Sequence, residues 1–158
     1  NGSYFRTPGI AVGVFDFTNL RKVFGEYWHN YFYYNDLSED KIVDGYAVDI
    51  VTGGFMLISS SVINKIGLFD TRYFMYLEDV DFCNRAKRAN FKIVVCDEVV
   101  LHISGASSDN SDRVSHLAWQ SSRKKYYWKN HNIVSNLIIQ PIFYIDDLLI
   151  NVLRKLKK

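Results

Sequence analysis

The sequence has little cysteine, and what it has is poorly placed for metal binding. Cys83 and Cys96 are the two cysteines among 158 residues, and their separation fits no metal-ligand spacing. Because both lie among apolar residues, we expect two buried, reduced thiols, which is typical of a cytosolic protein.

Excess charge and long hydrophobic runs are also missing. The net charge of +2 is small, and no basic stripe is interleaved with exposed aromatic residues, so we expect no nucleic-acid partner. No run approaches the ~18 consecutive apolar residues of a membrane-spanning helix, and no signal peptide is visible. The chain begins with Asn1 rather than with Met, so we expect an excised fragment or a processed product.

Apolar and aromatic side chains are abundant. Hydrophobic residues make up 48% of the chain and aromatic residues 16%, which predicts a folded domain with a substantial core. An aromatic cluster at 27–34 has the periodicity of neither a strand nor a helix. Its rings either pack in the core or line a sugar site, because the C–H faces of sugars lie well on aromatic rings.

From Val48 onward, strand and helix patterns alternate, which predicts a layered α/β domain. The predicted elements are a strand at 48–58 interrupted by Gly53 and Gly54, a helix at 62–66 between a serine cap and Gly67, a helix at 78–89, a β-rich run at 92–102, a helix at 114–131 and, after Pro141, an amphipathic segment at 142–156.

Three carboxylates lie within four positions at the start of the helix at 78–89, namely Glu78, Asp79 and Asp81. They either cap the helix N-terminus or form part of a ligand site, since crowded like charges need a compensating partner. His102 ends an apolar strand and opens into a loop of small residues. It is either a structural histidine or a ligand for a metal or phosphate.

The order of these motifs, more than any single one, resembles the C-terminal half of bacterial family 2 glycosyltransferases of the rhamnosyltransferase-like type. The similarity covers about residues 48 to 130 and is carried by motifs that share the family's order and spacing. They are Val51-Thr52-Gly53-Gly54-Phe55-Met56-Leu57-Ile58, Gly67-Leu68-Phe69-Asp70, Tyr76-Leu77-Glu78-Asp79-Val80-Asp81-Phe82-Cys83-Asn84-Arg85 and Val100-Leu101-His102.

The resemblance implies the acceptor-side portion of a GT-A fold, an α/β sandwich around a mixed sheet. It makes Asp79 the general base that deprotonates the acceptor hydroxyl, with Glu78 orienting Asp79 or holding the acceptor. A carboxylate at a helix N-terminus stays ionised at neutral pH and can accept that proton. Asp81 and Arg85 are expected to brace the helix as an i,i+4 pair.

The resemblance also implies donor-side residues. Gly53 and Gly54 would lie beside the donor sugar, where a side chain would obstruct the ligand, although a bulge in a core strand explains them as well. His102 would help to coordinate Mn²⁺ or Mg²⁺ on the donor diphosphate. Arg123 and its two lysine neighbours fall where family members carry basic residues near the diphosphate, or else form a solvated helix face.

The family's N-terminal half, with its nucleotide pocket and metal-binding Asp-x-Asp, is not recognisable. Asp79-Val80-Asp81 matches the Asp-x-Asp pattern but belongs to the acceptor-side motif. We therefore expect residues 1–137 to form the acceptor-side part of the domain. Residues 138–158 should form an amphipathic basic helix, which either packs on that domain or lies on an anionic membrane surface.

Taken together, the sequence predicts inverting, metal-assisted transfer of a sugar from a nucleotide-sugar donor to a saccharide or lipid-linked acceptor, in cell-surface polysaccharide synthesis. The expected location is the cytoplasm, at the inner face of the membrane. An inactive carbohydrate-binding or interaction module derived from such an enzyme is the alternative. A metal-dependent hydrolase is a weaker one, because it would need more metal ligands.

Overall fold

The computed structural model of the chain describes residues 4–34, 41–42, 45–96, 98, 100 and 112–156. Six helices and five short strands lie in this part of the chain. In order, they are β1 (Tyr4–Phe5), α1 (Ile10–Phe15), α2 (Arg21–Phe32), β2 (Lys41–Ile42), β3 (Gly45–Val48), β4 (Ile50–Val51), α3 (Ser60–Ile66), α4 (Glu78–Arg88), β5 (Ile93–Val95), α5 (Asp112–Asn130) and α6 (Ile133–Leu156).

The strands form two small antiparallel sheets. β1 pairs with β4, and β3 lies between β2 and β5, with Tyr46 opposite Val95. The α/β composition is as predicted, although the described strands do not by themselves build the sandwich that the resemblance implies. The predicted strand at 48–58 ends at Val51 instead, because the chain turns at Gly53 and Gly54. The β-rich run at 92–102 is strand over Ile93–Val95 in its described part.

The local signals predicted α3 and α4 well. The Ser59 side chain accepts a hydrogen bond from the backbone N–H of Ser61, and Gly67 ends α3 with a φ of 76°. Helix α4 begins at Glu78, with acidic residues in its first turn and basic residues in its last. Both sets of charges oppose the partial charges of the helix ends, which stabilises α4 in this register.

The core joins the N-terminal aromatic residues to α4, α5 and α6. Its fully buried side chains include Ile50, Val80, Tyr126, Tyr127 and Phe143. From the aromatic cluster at 27–34, Phe32 and Tyr33 pack in or against this core, whereas Tyr27 and Tyr31 are exposed. The prediction of two buried thiols was right for Cys83 and wrong for Cys96, whose position after β5 leaves it exposed.

Helix α6 is longer than predicted and passes through the expected boundary at 137/138. It begins at Ile133, after Asn132 caps its N-terminus by accepting a hydrogen bond from the N–H of Ser135 at 2.9 Å. Pro141 lies inside this helix rather than in front of it. By length and composition α6 could cross a membrane, and 33% of its apolar stretch is buried against the protein.

Candidate active site

The end of β4 and the start of α4 meet at Asp79. The backbone N–H of Gly53 donates to Asp79 Oδ2 at 2.8 Å, and the N–H of Val80 donates to Oδ1 at 2.8 Å. Each carboxylate oxygen therefore has one fixed donor and keeps further acceptor capacity for a ligand hydroxyl. Of the predicted site residues, the structure brings Gly53, Asp79 and Glu78 together; Gly54 follows in the same exposed turn.

Burial controls the electrostatics of this acidic pair. It raises the pKa of the Asp79 carboxyl above its usual value, and the hydrogen bonds from Gly53 and Val80 oppose that rise only in part. Burial also raises the pKa of Glu78, and the charge of Asp79 adds to the effect. A carboxylate that holds its proton more tightly than usual is a stronger base, which suits proton abstraction from a hydroxyl.

Glu78 has an unsatisfied atom beside Asp79. Its Oε2 is inaccessible to solvent and has no hydrogen-bond partner among the described residues. A buried carboxylate oxygen without a donor costs free energy, on the order of 1–3 kcal/mol. The structure thus leaves an unmet acceptor next to Asp79, and the acceptor-holding role of Glu78 stays a prediction of the sequence.

The backbone that leads into this pair is strained. Tyr76 and Leu77 adopt left-handed conformations with φ values of 68° and 65°. Such conformations cost non-glycine residues of order 1–3 kcal/mol each and persist where the surroundings enforce them. Leu77 is anchored in the core, and the Tyr76 ring packs edge-on against Trp119 at 5.9 Å between ring centroids. These contacts fix the direction from which the chain enters α4.

Asp81 points away from Asp79 and into the protein. Its side chain is 0% exposed and accepts hydrogen bonds from Arg85 Nε at 2.9 Å and Lys129 Nζ at 2.8 Å, with Asn130 as a third partner. The predicted Asp81–Arg85 brace is confirmed. Because Asp81 is fully engaged inside the protein, the Asp79-Val80-Asp81 run does not present two carboxylates to one ligand.

The described residues do not suffice for a metal site. They contain no group of three or more His, Cys, Asp or Glu side chains placed to hold a metal ion. His102, the predicted metal ligand, lies outside the described residues. Mn²⁺ or Mg²⁺ at His102 stays a prediction of the sequence.

Arg123 lies elsewhere, in a buried ion cluster between α5 and α6. Its side chain is 1% exposed; it donates to Asp146 Oδ2 at 2.8 Å and contacts Asp147, while Lys124 bonds Asp147 at 2.7 Å. The solvated helix face offered as an alternative is therefore wrong for Arg123. Its guanidinium pairs with two carboxylates inside the protein and, among the described residues, shares no hydrogen-bond partner with Asp79.

Sequence reasoning missed a second group of charges, centred on Lys129. Lys129 Nζ binds Asp70 Oδ2 at 2.7 Å as well as Asp81, and Asp70 also pairs with Arg72. No spacing could have revealed this group, since Lys129 and Asp70 lie 59 positions apart. Lys129 and Arg72 line an open cavity of about 450 Å³ together with Tyr73, Lys125 and Trp128. Asp79 is not among the residues that line this cavity.

Known proteins resemble this chain over part of its length. It is 34% identical over 92 residues to the low-salt glycan biosynthesis hexosyltransferase Agl10 of Haloferax volcanii, covering 58% of the chain and 28% of that protein. It is 41% identical over 69 residues to the N-acetylglucosaminyl-diphospho-decaprenol L-rhamnosyltransferase of Mycobacterium tuberculosis, covering 43% of the chain and 22% of that protein. The chain thus spans about a quarter of the length of these relatives.

A third relative and the family match agree with these two. The rhamnosyltransferase WbbL of Escherichia coli is 35% identical over 57 residues, which cover 36% of the chain and 22% of that protein. No solved structure matches the chain significantly. Residues 3–130 match the family described as Glycosyltransferase like family 2, which includes β1 through α5 and the whole Gly53–Asp79 site. The chain belongs to glycosyltransferase family 2.

Proposed function

We propose that this chain is the acceptor-side part of a glycosyltransferase that moves a sugar from a nucleotide-sugar donor to a saccharide or lipid-linked saccharide acceptor. Asp79 is the general base of a single displacement that inverts the anomeric carbon. The proposal rests mainly on the Asp79 carboxylate, which is held by the Gly53 and Val80 N–H groups and has a raised pKa.

The acceptor hydroxyl donates its proton to an Asp79 oxygen as its own oxygen forms a bond to the anomeric carbon of the donor. On the opposite face, the bond from that carbon to the diphosphate oxygen breaks, and the nucleoside diphosphate leaves with the electron pair. Gly53 and Val80 hold the base in place throughout, so little reorganisation is needed during transfer.

Two features support a saccharide acceptor on this side of the site. The buried Glu78 Oε2 has no hydrogen-bond partner among the described residues, and a rotation of the Glu78 side chain would let it accept from a second acceptor hydroxyl. The left-handed residues Tyr76 and Leu77 also lead directly into the helix start, where Glu78 and Asp79 lie side by side. A lipid-linked acceptor is supported by the Mycobacterium tuberculosis relative, an L-rhamnosyltransferase named for N-acetylglucosaminyl-diphospho-decaprenol.

The test measures transfer by the full-length protein that contains this chain. UDP- and dTDP-sugars are supplied with saccharide and polyprenyl-diphosphate-linked acceptors, with and without Mn²⁺, and release of the nucleoside diphosphate is followed. The anomeric configuration of the product is then read by NMR. We expect an inverted product. Retention of configuration would refute the single displacement, and carbohydrate binding without transfer would favour the inactive binding module.

A further inference from the structure

Helix α6 is amphipathic, but its two faces are reversed relative to a helix of a soluble domain. The residues it buries against the protein include Asn136, Gln140, Asp146 and Asp147. A surface helix normally packs its apolar stripe inward and turns its polar side to water. In α6, Ile139 and Phe143 are the large apolar side chains on the buried face, and polar groups occupy the rest of it.

The buried polar groups are matched by partners from α5. Asn136 Nδ2 donates to the carbonyl of Tyr127 at 3.0 Å, and Gln140 Nε2 donates to the carbonyl of Lys124 at 3.1 Å. Asp146 and Asp147 receive the Arg123 guanidinium described above. Specific hydrogen bonds therefore orient α6, and rotating it to bury its apolar side would break them and leave the buried Arg123 without its two carboxylates.

The opposite face of α6 is exposed and apolar along its whole length. Eleven large hydrophobic side chains recur at helical spacing and are between 46% and 77% exposed. They are Ile133, Val134, Leu137, Ile138, Tyr144, Ile145, Leu148, Leu149, Val152, Leu153 and Leu156. Contiguous apolar surface on this scale is uncommon on proteins that remain in water and marks an interaction site.

The charge distribution of α6 identifies the occupant. Its acidic residues are Asp146 and Asp147, and both are buried in ion pairs with α5. Its basic residues are Arg154 and Lys155 in the last turn, and the sequence continues with two more lysines. The exposed side of the helix therefore combines an apolar face with positive charge at one end, which complements an anionic lipid surface.

We propose that α6 binds an anionic membrane surface, lying in the plane of the interface with its apolar face in the lipid and Arg154 and Lys155 at the headgroups. A spanning orientation is disfavoured, because the ion cluster of Arg123 with Asp146 and Asp147 ties the middle of α6 to the domain. At 24 residues, α6 is about 36 Å long and offers an extended contact. The proposal stands apart from sugar transfer, since lipid binding is measured without donor or acceptor.

The test is sedimentation of the full chain with vesicles. One set contains phosphatidylcholine alone, and the other contains about 30% phosphatidylglycerol. We expect the chain to sediment with the anionic vesicles and much less with the neutral ones. Leu148→Glu, at a site that is 64% exposed, should weaken binding about tenfold or more. Arg154→Ala and Lys155→Ala should each weaken it about fivefold.

Val23→Glu is the matched control, because Val23 is an apolar residue on α2 that is 74% exposed. It should bind vesicles like the unchanged chain. Equal binding to neutral and anionic vesicles, or equal loss in Leu148→Glu and Val23→Glu, would overturn the proposal. A second result would also overturn it: the unchanged chain does not bind lipid vesicles and forms a dimer in analytical ultracentrifugation, and Leu148→Glu dissociates that dimer. A second copy of the chain would then cover the apolar face of α6.

The in-plane orientation has its own readout. Membranes from cells that express the chain are washed with alkaline carbonate, which releases proteins held at the interface. Release of the chain supports the proposal, and retention in the washed membranes would show a spanning helix and overturn it.

Discussion

Asp79 accepts a hydrogen bond from the backbone of Gly53 at 2.8 Å, although 26 positions separate the two residues. This bond joins the turn after β4 to the first turn of α4. It leaves the Gly53 Cα against the carboxylate, since a Cβ built on Gly53 would lie 3.6 Å from Asp79 Cβ and Oδ2. The glycine motif at Gly53 and the acidic motif at Asp79 therefore form one site.

Replacing Asp79 by asparagine should abolish the proposed base. We expect Asp79→Asn to reduce turnover of the full-length protein by about 100-fold or more, with donor binding largely retained, because the amide cannot take the hydroxyl proton. Steady-state transfer and calorimetric donor titration measure the two effects. Glu98→Gln is the control, being the same acid-to-amide change at an exposed site. Normal turnover in Asp79→Asn would show that another group is the base.

Asp79 and Asp49 should give opposite pH dependences of stability. The pKa of Asp79 is raised, so its contribution to stability is present below the unfolded-state pKa and is lost as pH rises through the folded pKa. For Asp49, burial acts to raise the pKa, but hydrogen bonds from Lys87 and from the Thr7 backbone outweigh it and lower the pKa. Its contribution is present above the unfolded pKa and is lost as pH falls.

Urea unfolding at several values between about pH 3 and about pH 7 measures both contributions. Relative to the unchanged chain, Asp79→Asn should gain stability as the pH rises. Asp49→Asn should be less stable near neutral pH and should converge with the unchanged chain as the pH falls. Slopes of the same sign for the two variants would contradict the assigned pKa directions.

Local patterns predicted the parts of this fold that depend on neighbouring residues. Ser59 and Gly67 bound α3, and the charge order of residues 78–88 fixes α4, because caps and helix-end charges act within one turn. The pairing of Asp81 with Arg85 was equally readable from its i,i+4 spacing. The acidic residue of the candidate site and its helix position were thus open to prediction.

Long-range contacts were not open to prediction in this way. No local pattern around Arg123 indicates its pairing with Asp146 and Asp147 on the next helix, so the sequence predicts a diphosphate-binding residue or a solvated helix face. The sequence predicts that a segment begins after Pro141, but Asn132 caps α6 and the helix continues through the proline. Periodicity located the apolar stripe of α6, yet only the packing shows that this stripe faces outward.

Removing Arg123 should damage stability before it affects any ligand. Arg123→Met leaves Asp146 and Asp147 buried without their principal cation, and we expect a loss of about 3–5 kcal/mol in the free energy of unfolding. Lys125→Met is the matched control on the same helix, since Lys125 is exposed, and it should change stability by less than about 0.5 kcal/mol. Denaturant unfolding measures both variants. A stable Arg123→Met protein with a raised donor KM would instead support the predicted substrate-binding role of Arg123.

Two glycines should separate stability from transfer. Gly67 ends α3 with φ 76° and ψ −171°, a conformation nearly restricted to glycine, so Gly67→Ala should cost about 1–3 kcal/mol although nothing lies within 4 Å of the added Cβ. Gly53 has no such φ, and its Cβ would make an ordinary contact with Asp79, so Gly53→Ala should fold with equal or slightly greater stability.

The activities of these two variants should follow the reverse order. Gly53→Ala places a methyl group beside the proposed base and should lower transfer by about tenfold or more, because the methyl group would obstruct the ligand that must approach Asp79. Gly67→Ala, assayed well below its melting temperature, should transfer sugar at a near-normal rate, since the residue contacts neither Glu78 nor Asp79 in the described structure. If both variants lost stability and transfer together, Gly53 would support the fold rather than the reaction. A glycine with a purely structural role cannot lower the transfer rate of a protein that remains folded.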